Sequence, residues 1–344
     1  MSTHAASTRM YAEAAQAPAA VRTQLGANAE RVAHLAARLR AAPPRAVVTC
    51  ARGSSDHAAT FARYLIETRL GVLTSSAAPS VSSVYEVSPD MVDVVMLAIS
   101  QSGASPDLLA AVSRARSHGA RIVALVNAAS SPLAQLADDL IPLHAGPELS
   151  VAATKSYLAS LSAIVQLIAS WAGDAALTAA LAAAPDELER AFALDWSAAV
   201  AHLTPAHNLY VIGRGLGLGI AQEAALKLKE TCGLHAEALS AAELRHGPMA
   251  LVRARFPLLL FTQSDESRPG VVQLAGELAS QGADVLVAGA EVAGTTTLPT
   301  LAAHPVIEPL LQAQSFYRMA NALALARGRD PDRPPHLAKV TETL

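Results

Sequence analysis

Between Glu223 and Pro248 the chain reads EAALKLKETCGLHAEALSAAELRHGP. Glu223, Lys227 and Glu230 are spaced i, i+4, i+7 and share one helix face. His235, Glu237, Glu243 and His246 follow within a short span. Carboxylates beside imidazoles and an amine suit proton transfer at a carbon next to a carbonyl. The same spacing also fits a solvated helix face with an ordinary ion pair. Neither H-x-x-x-H nor H-E-x-x-H occurs here, so no metal is expected.

A second stretch, Val94 to Pro106, reads VVMLAISQSGASP. It opens as the unbroken apolar run of a buried parallel strand. It breaks into Ser100, Gln101, Ser102, Gly103, Ala104 and Ser105, and Pro106 stands where a first helical turn tolerates it. A strand, a hydroxyl-rich turn and a helix aim backbone N–H groups and hydroxyls at one point, which suits a phosphate. A plain helix N-cap is the alternative use of the same serines. The G-x-x-x-x-G-K pattern of nucleoside-triphosphate loops is absent.

The elements that must position these groups repeat along the chain. A helical region is expected from Met10 to Arg40, closed by Pro43 and Pro44. Strands follow at Ala46–Cys50, Val72–Ser75, Val94–Ser100, Arg121–Val126 and Leu140–Leu143, with helices at about 57–69, 107–118 and 133–138. A long helix opens at the VAATK run, 151–155, and ends near Trp171. A second helical region reaches Leu203, with Pro185 expected to cap a start within it. The pattern then restarts, with strands at Asn208–Ile212, Pro257–Thr262 and Asp284–Ala288 and helices at 219–232 and 271–281. Arg52-Gly53 stands 162 residues before Arg214-Gly215, and Gln101-Ser102 stands 162 before Gln263-Ser264. Two landmarks at one offset indicate two copies of an α/β unit with mainly parallel strands. The first copy's turn is neutral. In the second copy Asp265 and Glu266 occupy the equivalent turn and would repel an anion, so phosphate is expected in the first copy only.

Composition bounds the rest. The chain has 344 residues, 52% hydrophobic and 16% charged, with a net charge of −3, which suits two ordinary domains with large cores. Charge without basic runs argues against a nucleic-acid surface. Cys50 and Cys232 adjoin apolar runs and read as buried free thiols of a reducing compartment. No apolar signal core opens the chain, and the most apolar helical stretch is too short and too polar for a membrane span. A cytoplasmic protein without membrane partners is expected. By composition the last residues, PPHLAKVT from Pro334, form a frayed tail.

The A-L-K-L-K-E and E-L-R-H-G-P motifs, the VAATK run, the serine turn and the L-A-K-V-T tail together resemble the sugar isomerase (SIS) family. The likeness covers nearly the whole chain. It is strongest to the isomerase half of glucosamine-6-phosphate synthases and to type II glucosamine-6-phosphate deaminases. The resemblance implies an α/β fold of two tandem flavodoxin-like SIS subdomains, with mainly parallel sheets flanked by helices. Residues 1–40 would be a helical lead-in, 41–200 the phosphate-binding subdomain, 201–328 the second subdomain, and 329–344 a tail over the active site. It also implies a homodimer that shares its active sites, a sugar-phosphate ligand and no cofactor.

By the same resemblance, Ser100, Gln101, Ser102 and Ser105 would hold the phosphate. Ser54 and Ser55 would line the sugar, and Val151 and Ala338 would contribute backbone. Glu230 would move a proton between C1 and C2. Lys227 would favour the carboxylate form that a base requires. His246 would act in the neighbouring subunit's site to open the ring. Lys339 would reach the carbonyl carbon with an amine able to form a Schiff base, which makes the tail a lid. Ala104, Ser105 and Ala153 stand where the synthases have glutamate, threonine and serine, which bears on sugar preference. Ser2 stands where a glutaminase domain would begin with cysteine, and only a helical region precedes the first repeat. The chain is therefore expected not to make ammonia from glutamine. The resulting expectation is deamination of glucosamine 6-phosphate to fructose 6-phosphate and ammonia. The alternatives are another phosphosugar isomerase, a deglycase, a synthase subunit fed external ammonia, and a sugar-phosphate sensor.

Overall fold

A computed structural model describes residues 8–87 and 89–339. Val340 and Thr341 of the tail motif, and the first seven residues, lie outside them. In chain order the elements are α1 (Arg9–Ala15), α2 (Ala17–Ala41), β1 (Ala46–Cys50), α3 (Ser54–Leu70), β2 (Thr74–Ser76), α4 (Pro79–Ser83), β3 (Val94–Ser100), α5 (Pro106–Ser117), β4 (Arg121–Val126), α6 (Pro132–Leu136), β5 (Asp139–Pro142), α7 (Lys155–Ala172), α8 (Ala175–Ala193) and α9 (Ser197–Leu203). They continue with β6 (Asn208–Gly213), α10 (Gly217–Cys232), β7 (His235–Ser240), β8 (Pro257–Phe261), α11 (Arg268–Ser280), β9 (Asp284–Ala288), β10 (Thr296–Leu298) and α12 (Glu308–Ala326).

The chain divides into two compact units. The first-sheet unit holds Ala19–Glu148, Lys155–Ala182 and the described residues from Ala338. Its five strands are all parallel, in the order β2-β1-β3-β4-β5. β3 (VVMLAIS) is buried along its whole length, as a central strand covered on both faces must be. α3 packs beside α7 in this unit.

The second-sheet unit holds the described residues up to Pro18, then Leu149–Thr154 and Ala183–Leu337. Its sheet is also parallel, and from its β7 edge it reads β7-β6-β8-β9-β10. This is the first order repeated, strand for strand, so the 162-residue offset marks a repeat of topology. The shared order 2-1-3-4-5 is the flavodoxin-like one, in which ligands bind beyond the strand ends where the order reverses. The two tandem α/β subdomains are present as the sequence implied.

Several local expectations change. Pro185 lies inside α8 and caps nothing. Leu177, Leu181, Ala184, Leu188 and Ala191 are buried at spacings of three and four, so one apolar stripe runs past the proline. The VAAT residues precede α7 as an irregular segment instead of opening it. β7, β10 and α12 have no counterpart in the sequence reading.

Just before Pro334 the chain is tied to α1. The N–H groups of Arg9 and Met10 donate to the two carboxylate oxygens of Asp332, at 2.7 and 2.8 Å. An acid at these positions satisfies exposed helix N–H groups and suits the dipole of α1. Cys50 and Cys232 are free and buried. Burial pushes their thiols up to about 12 and about 11. Among the described residues no helix is long and apolar enough to cross a membrane.

Candidate active site

In the first sheet the order reverses between β1 and β3, so the turns that leave these two strands lie side by side. They carry Ser54 and Ser55, at the start of α3, and Ser100 through Ser105. Gly103 sets the second turn. Its φ is +63°, and a Cβ there would stand 2.2 Å from Ser131 Oγ and 2.8 Å from Val126 Cγ2. Ser100 Oγ, buried under the turn, accepts the Gly103 N–H at 2.9 Å. Ser102 Oγ accepts the Ala104 N–H at 3.4 Å. Ser105 is the N-cap residue of α5, yet its hydroxyl makes no capping bond. The capping role considered for this serine is therefore not the one its hydroxyl performs.

The turn is less simply neutral than its sequence suggests. Asp107, buried in the first turn of α5, receives Arg52 Nη2 at 2.7 Å and Nε at 2.8 Å. The pair joins the β1 turn to the β3 turn and cancels the acid's charge. Asp56, beside Ser55, has its carboxyl raised by burial, with His57 and Arg52 pulling it back.

The equivalent turns of the second sheet are filled from within. Ser264 donates its backbone N–H at 2.6 Å and its hydroxyl at 2.8 Å to the carboxylate of Glu308, at the start of α12. Asp265 accepts from Ser267 N at 2.9 Å, Ser267 Oγ at 2.5 Å and Gln263 Nε2 at 2.8 Å. Two carboxylates thus take up donors that an anion would need. One is Asp265, as expected. The other is Glu308, whereas Glu266 is an exposed residue.

In the second-sheet unit α10 carries Glu223, Lys227 and Glu230. This is not a solvated face. Lys227 is 1% exposed, with Nζ 2.5 Å from Glu230 Oε2 and 3.5 Å from Glu223 Oε1. Tyr317 on α12 donates its hydroxyl to Glu223 Oε1 at 3.0 Å. One buried ammonium between two carboxylates holds their side chains in fixed orientation. Glu230, the least buried of the three, lines a cavity of about 590 Å³. Its other walls include Lys229, Arg329, Arg333 and Pro335, so the chain that follows α12 flanks the acid. His246 is exposed at the end of a 3-10 turn, Glu243–Arg245, and its N–H bonds to Glu243 O.

The remaining expected residues fall on irregular segments. Val151 lies on Leu149–Thr154, whose first two N–H groups donate to the Glu13 carboxylate at 2.5 and 3.1 Å. Ala338 is exposed. In the first-sheet unit Lys339 Nζ stands 3.3 Å from Glu148 Oε2, and Glu148 also accepts the N–H and hydroxyl of Ser156. Glu148, Glu308 and Tyr317 were not singled out from sequence. The first leaves a faint signal, as an acid just before the VAATK run in a chain with little charge. Among the described residues no group of three metal-ligating side chains occurs.

Fold and turns define a double SIS protein, and the SIS domain family model matches residues 42–170 and 202–291. The chain belongs to the SIS domain family. It is 37% identical over 307 residues to the glutamine–fructose-6-phosphate aminotransferase of Aeropyrum pernix, which covers 83% of this chain and 49% of that protein. The same enzyme of Zymomonas mobilis is 36% identical over 312 residues, covering 85% of this chain and 51% of that protein. The chain thus spans about half the length of these curated relatives. A proposed phosphosugar isomerase of Silicibacter pomeroyi DSS-3 has a structure that matches with a TM-score of 0.91 and 43% identity, over 94% of this chain and all of that one. The C-terminal domain of the Francisella tularensis aminotransferase shares the fold, with a TM-score of 0.85 at 24% identity over 97% of this chain and 100% of that one.

Proposed function

We propose that the chain catalyses aldose–ketose chemistry on a sugar phosphate, and that its reaction is glucosamine 6-phosphate + water → fructose 6-phosphate + ammonia. The reading rests on one observation above the others. The two repeats share a topology, but the serine turn of the first is built from hydroxyls and backbone N–H groups, whereas that of the second is filled by Asp265 and Glu308. Such an asymmetry suits one anionic handle per chain, with the second repeat supplying acid–base groups.

In this reading Ser100, Gln101, Ser102 and Ser105 grip the phosphate, and Ser54 and Ser55 line the sugar with backbone from Val151 and Ala338. The phosphate is a handle, so its binding orients C1 and C2 and takes no part in bond breaking. His246, reaching into the site of a second subunit, opens the pyranose. Glu230 removes the C2 proton of the open-chain aldehyde and returns it to C1, with Lys227 fixing the carboxylate. C1 becomes an alcohol and C2 an iminium. Water adds at C2 and ammonia leaves. Lys339 stands in for the amine when a carbonyl carbon must be held. Water is the only co-substrate required, and with ammonia supplied the same steps run in reverse. The relatives named as aminotransferases and as a proposed phosphosugar isomerase support this class of chemistry.

The test is ammonia release from glucosamine 6-phosphate, galactosamine 6-phosphate and their N-acetyl forms, run in deuterium oxide. Ammonia with deuterium at C1 of the ketose is expected for the first. No ammonia and no carbon-bound deuterium from any of them would sink the reading. Deuterium exchange without ammonia would keep the isomerase chemistry and remove the deaminase.

A further inference from the structure

At the amino-terminal ends of β6, β8 and β9 lies a cleft of about 690 Å³, lined in part by His202, His207, Arg253, Arg255 and Asp284. It shares no lining residue with the cavity beside Glu230. Its volume is that of sites for small organic ligands. Its charge is one-sided. The single carboxylate, Asp284, is held by His202 Nδ1, at 2.9 Å from both oxygens. Among the described residues neither guanidinium, of Arg253 or Arg255, has an ion pair or a side-chain hydrogen bond.

One tight turn carries both arginines. Phe256 N–H bonds to Arg253 O at 2.9 Å, closing a turn with Arg255 at its third position. Arg255 has φ of +63°, a conformation that glycine adopts freely and arginine does not. Arg255 N–H is tied to Gly282 O at 2.7 Å, and the Phe256 ring sits 5.0 Å from that of Tyr210. The turn is thus anchored on both sides while a strained residue carries an unpaired fixed charge. Strain of this kind concentrates at functional positions.

We infer that this cleft binds a small phosphorylated molecule, its phosphate taken by Arg253 and Arg255, at a site separate from the serine turn. Guanidinium pairs match phosphate oxygens in geometry and stay charged at any working pH. The cleft's volume leaves room for the organic part of such a ligand.

Calorimetric titration with inorganic pyrophosphate at low ionic strength tests this on the full chain. Ser100→Ala with Ser102→Ala removes the competing turn, and in that background binding at about one site per chain is expected to persist. Adding Arg253→Gln and Arg255→Gly should weaken it by about tenfold or more. Glycine suits the backbone at 255, so the variant's melting temperature should hold or rise. Arg253→Gln alone, at an exposed side chain, should weaken binding several-fold and guards against a misfolded double variant. Loss of all binding in the serine variant, no binding in either form, or unchanged affinity in the arginine variants would overturn the proposal.

Discussion

Ser264 donates both its backbone N–H and its hydroxyl to Glu308. Its counterpart 162 residues earlier, Ser102, has no carboxylate partner among the described residues, and its hydroxyl accepts only a long bond from Ala104. Two turns at equivalent places in the two sheets thus differ in what answers their donors. In one the chain supplies its own anion, and in the other no carboxylate among the described residues does so.

Glu308→Ala should therefore destabilise the fold without adding a sugar-phosphate site. It removes the two hydrogen bonds that Ser264, an exposed residue, makes to a charged partner, at a cost of about 1–3 kcal/mol. Asp265 still repels an incoming anion. Urea unfolding reads the first effect, and binding stoichiometry with fructose 6-phosphate, unchanged from the parent chain, reads the second.

Glu230→Gln keeps the shape of the side chain and removes the proposed base. Turnover of glucosamine 6-phosphate should fall by roughly 10²–10⁴-fold, while sugar-phosphate affinity stays within a few-fold. Steady-state rates and equilibrium binding on the same preparation separate the two. A variant that still released ammonia at the parent rate would remove Glu230 from the mechanism.

Lys227→Met leaves Glu223 and Glu230 without the ammonium between them. Removing one member of a buried charged group costs about 3–5 kcal/mol. Adding Glu223→Gln should restore part of that loss, since one orphaned charge is then gone. Denaturant midpoints of the two variants test the order.

Gly103→Ala combines a disfavoured φ with a collision against Ser131 and Val126. The sum is about 2–4 kcal/mol of lost stability. Where the turn yields instead, phosphate affinity should drop. Both are read from thermal melts with and without sugar phosphate.

The thiols make stability depend on alkaline pH. In the unfolded chain they ionise near pH 9, whereas the folded chain holds their protons to about 12 and about 11. Above pH 9 the unfolded state sheds protons that the folded state keeps, so stability falls as pH rises. The slope is about 1.4 kcal/mol per pH unit for each thiol. Melting curves from pH 8 to pH 10.5 should show the decline, reduced in Cys50→Ala.

Much of the architecture could be read from the chain because parallel strands buried on both faces, such as β3 and β8, leave continuous apolar runs. The paired landmarks did the rest. β7 escaped because it is an edge strand with an exposed His235 and Glu237, so it lacks such a run. α12 escaped for the opposite reason. It is buried on nearly every side, and its polar residues are answered from a distance, Gln312 by Thr262 O, Gln314 by Ala14 O and Ser315 by Ala191 O. A helix surrounded in this way shows no amphipathic period. For the same reason Glu308 and Tyr317 were invisible as partners of Ser264 and Glu223. The spacing of Glu223, Lys227 and Glu230 was legible, but their burial was not, because it depends on what α12 lays against them.

Asp332 answers the first N–H groups of α1 across 322 and 323 residues of sequence. At about 5–20 residues per second, a ribosome needs roughly 15–60 s to reach that aspartate after α1 has been made. A seven-residue helix does not persist alone for such an interval. The α1 segment must therefore wait for Asp332 to be made before its first N–H groups gain this cap.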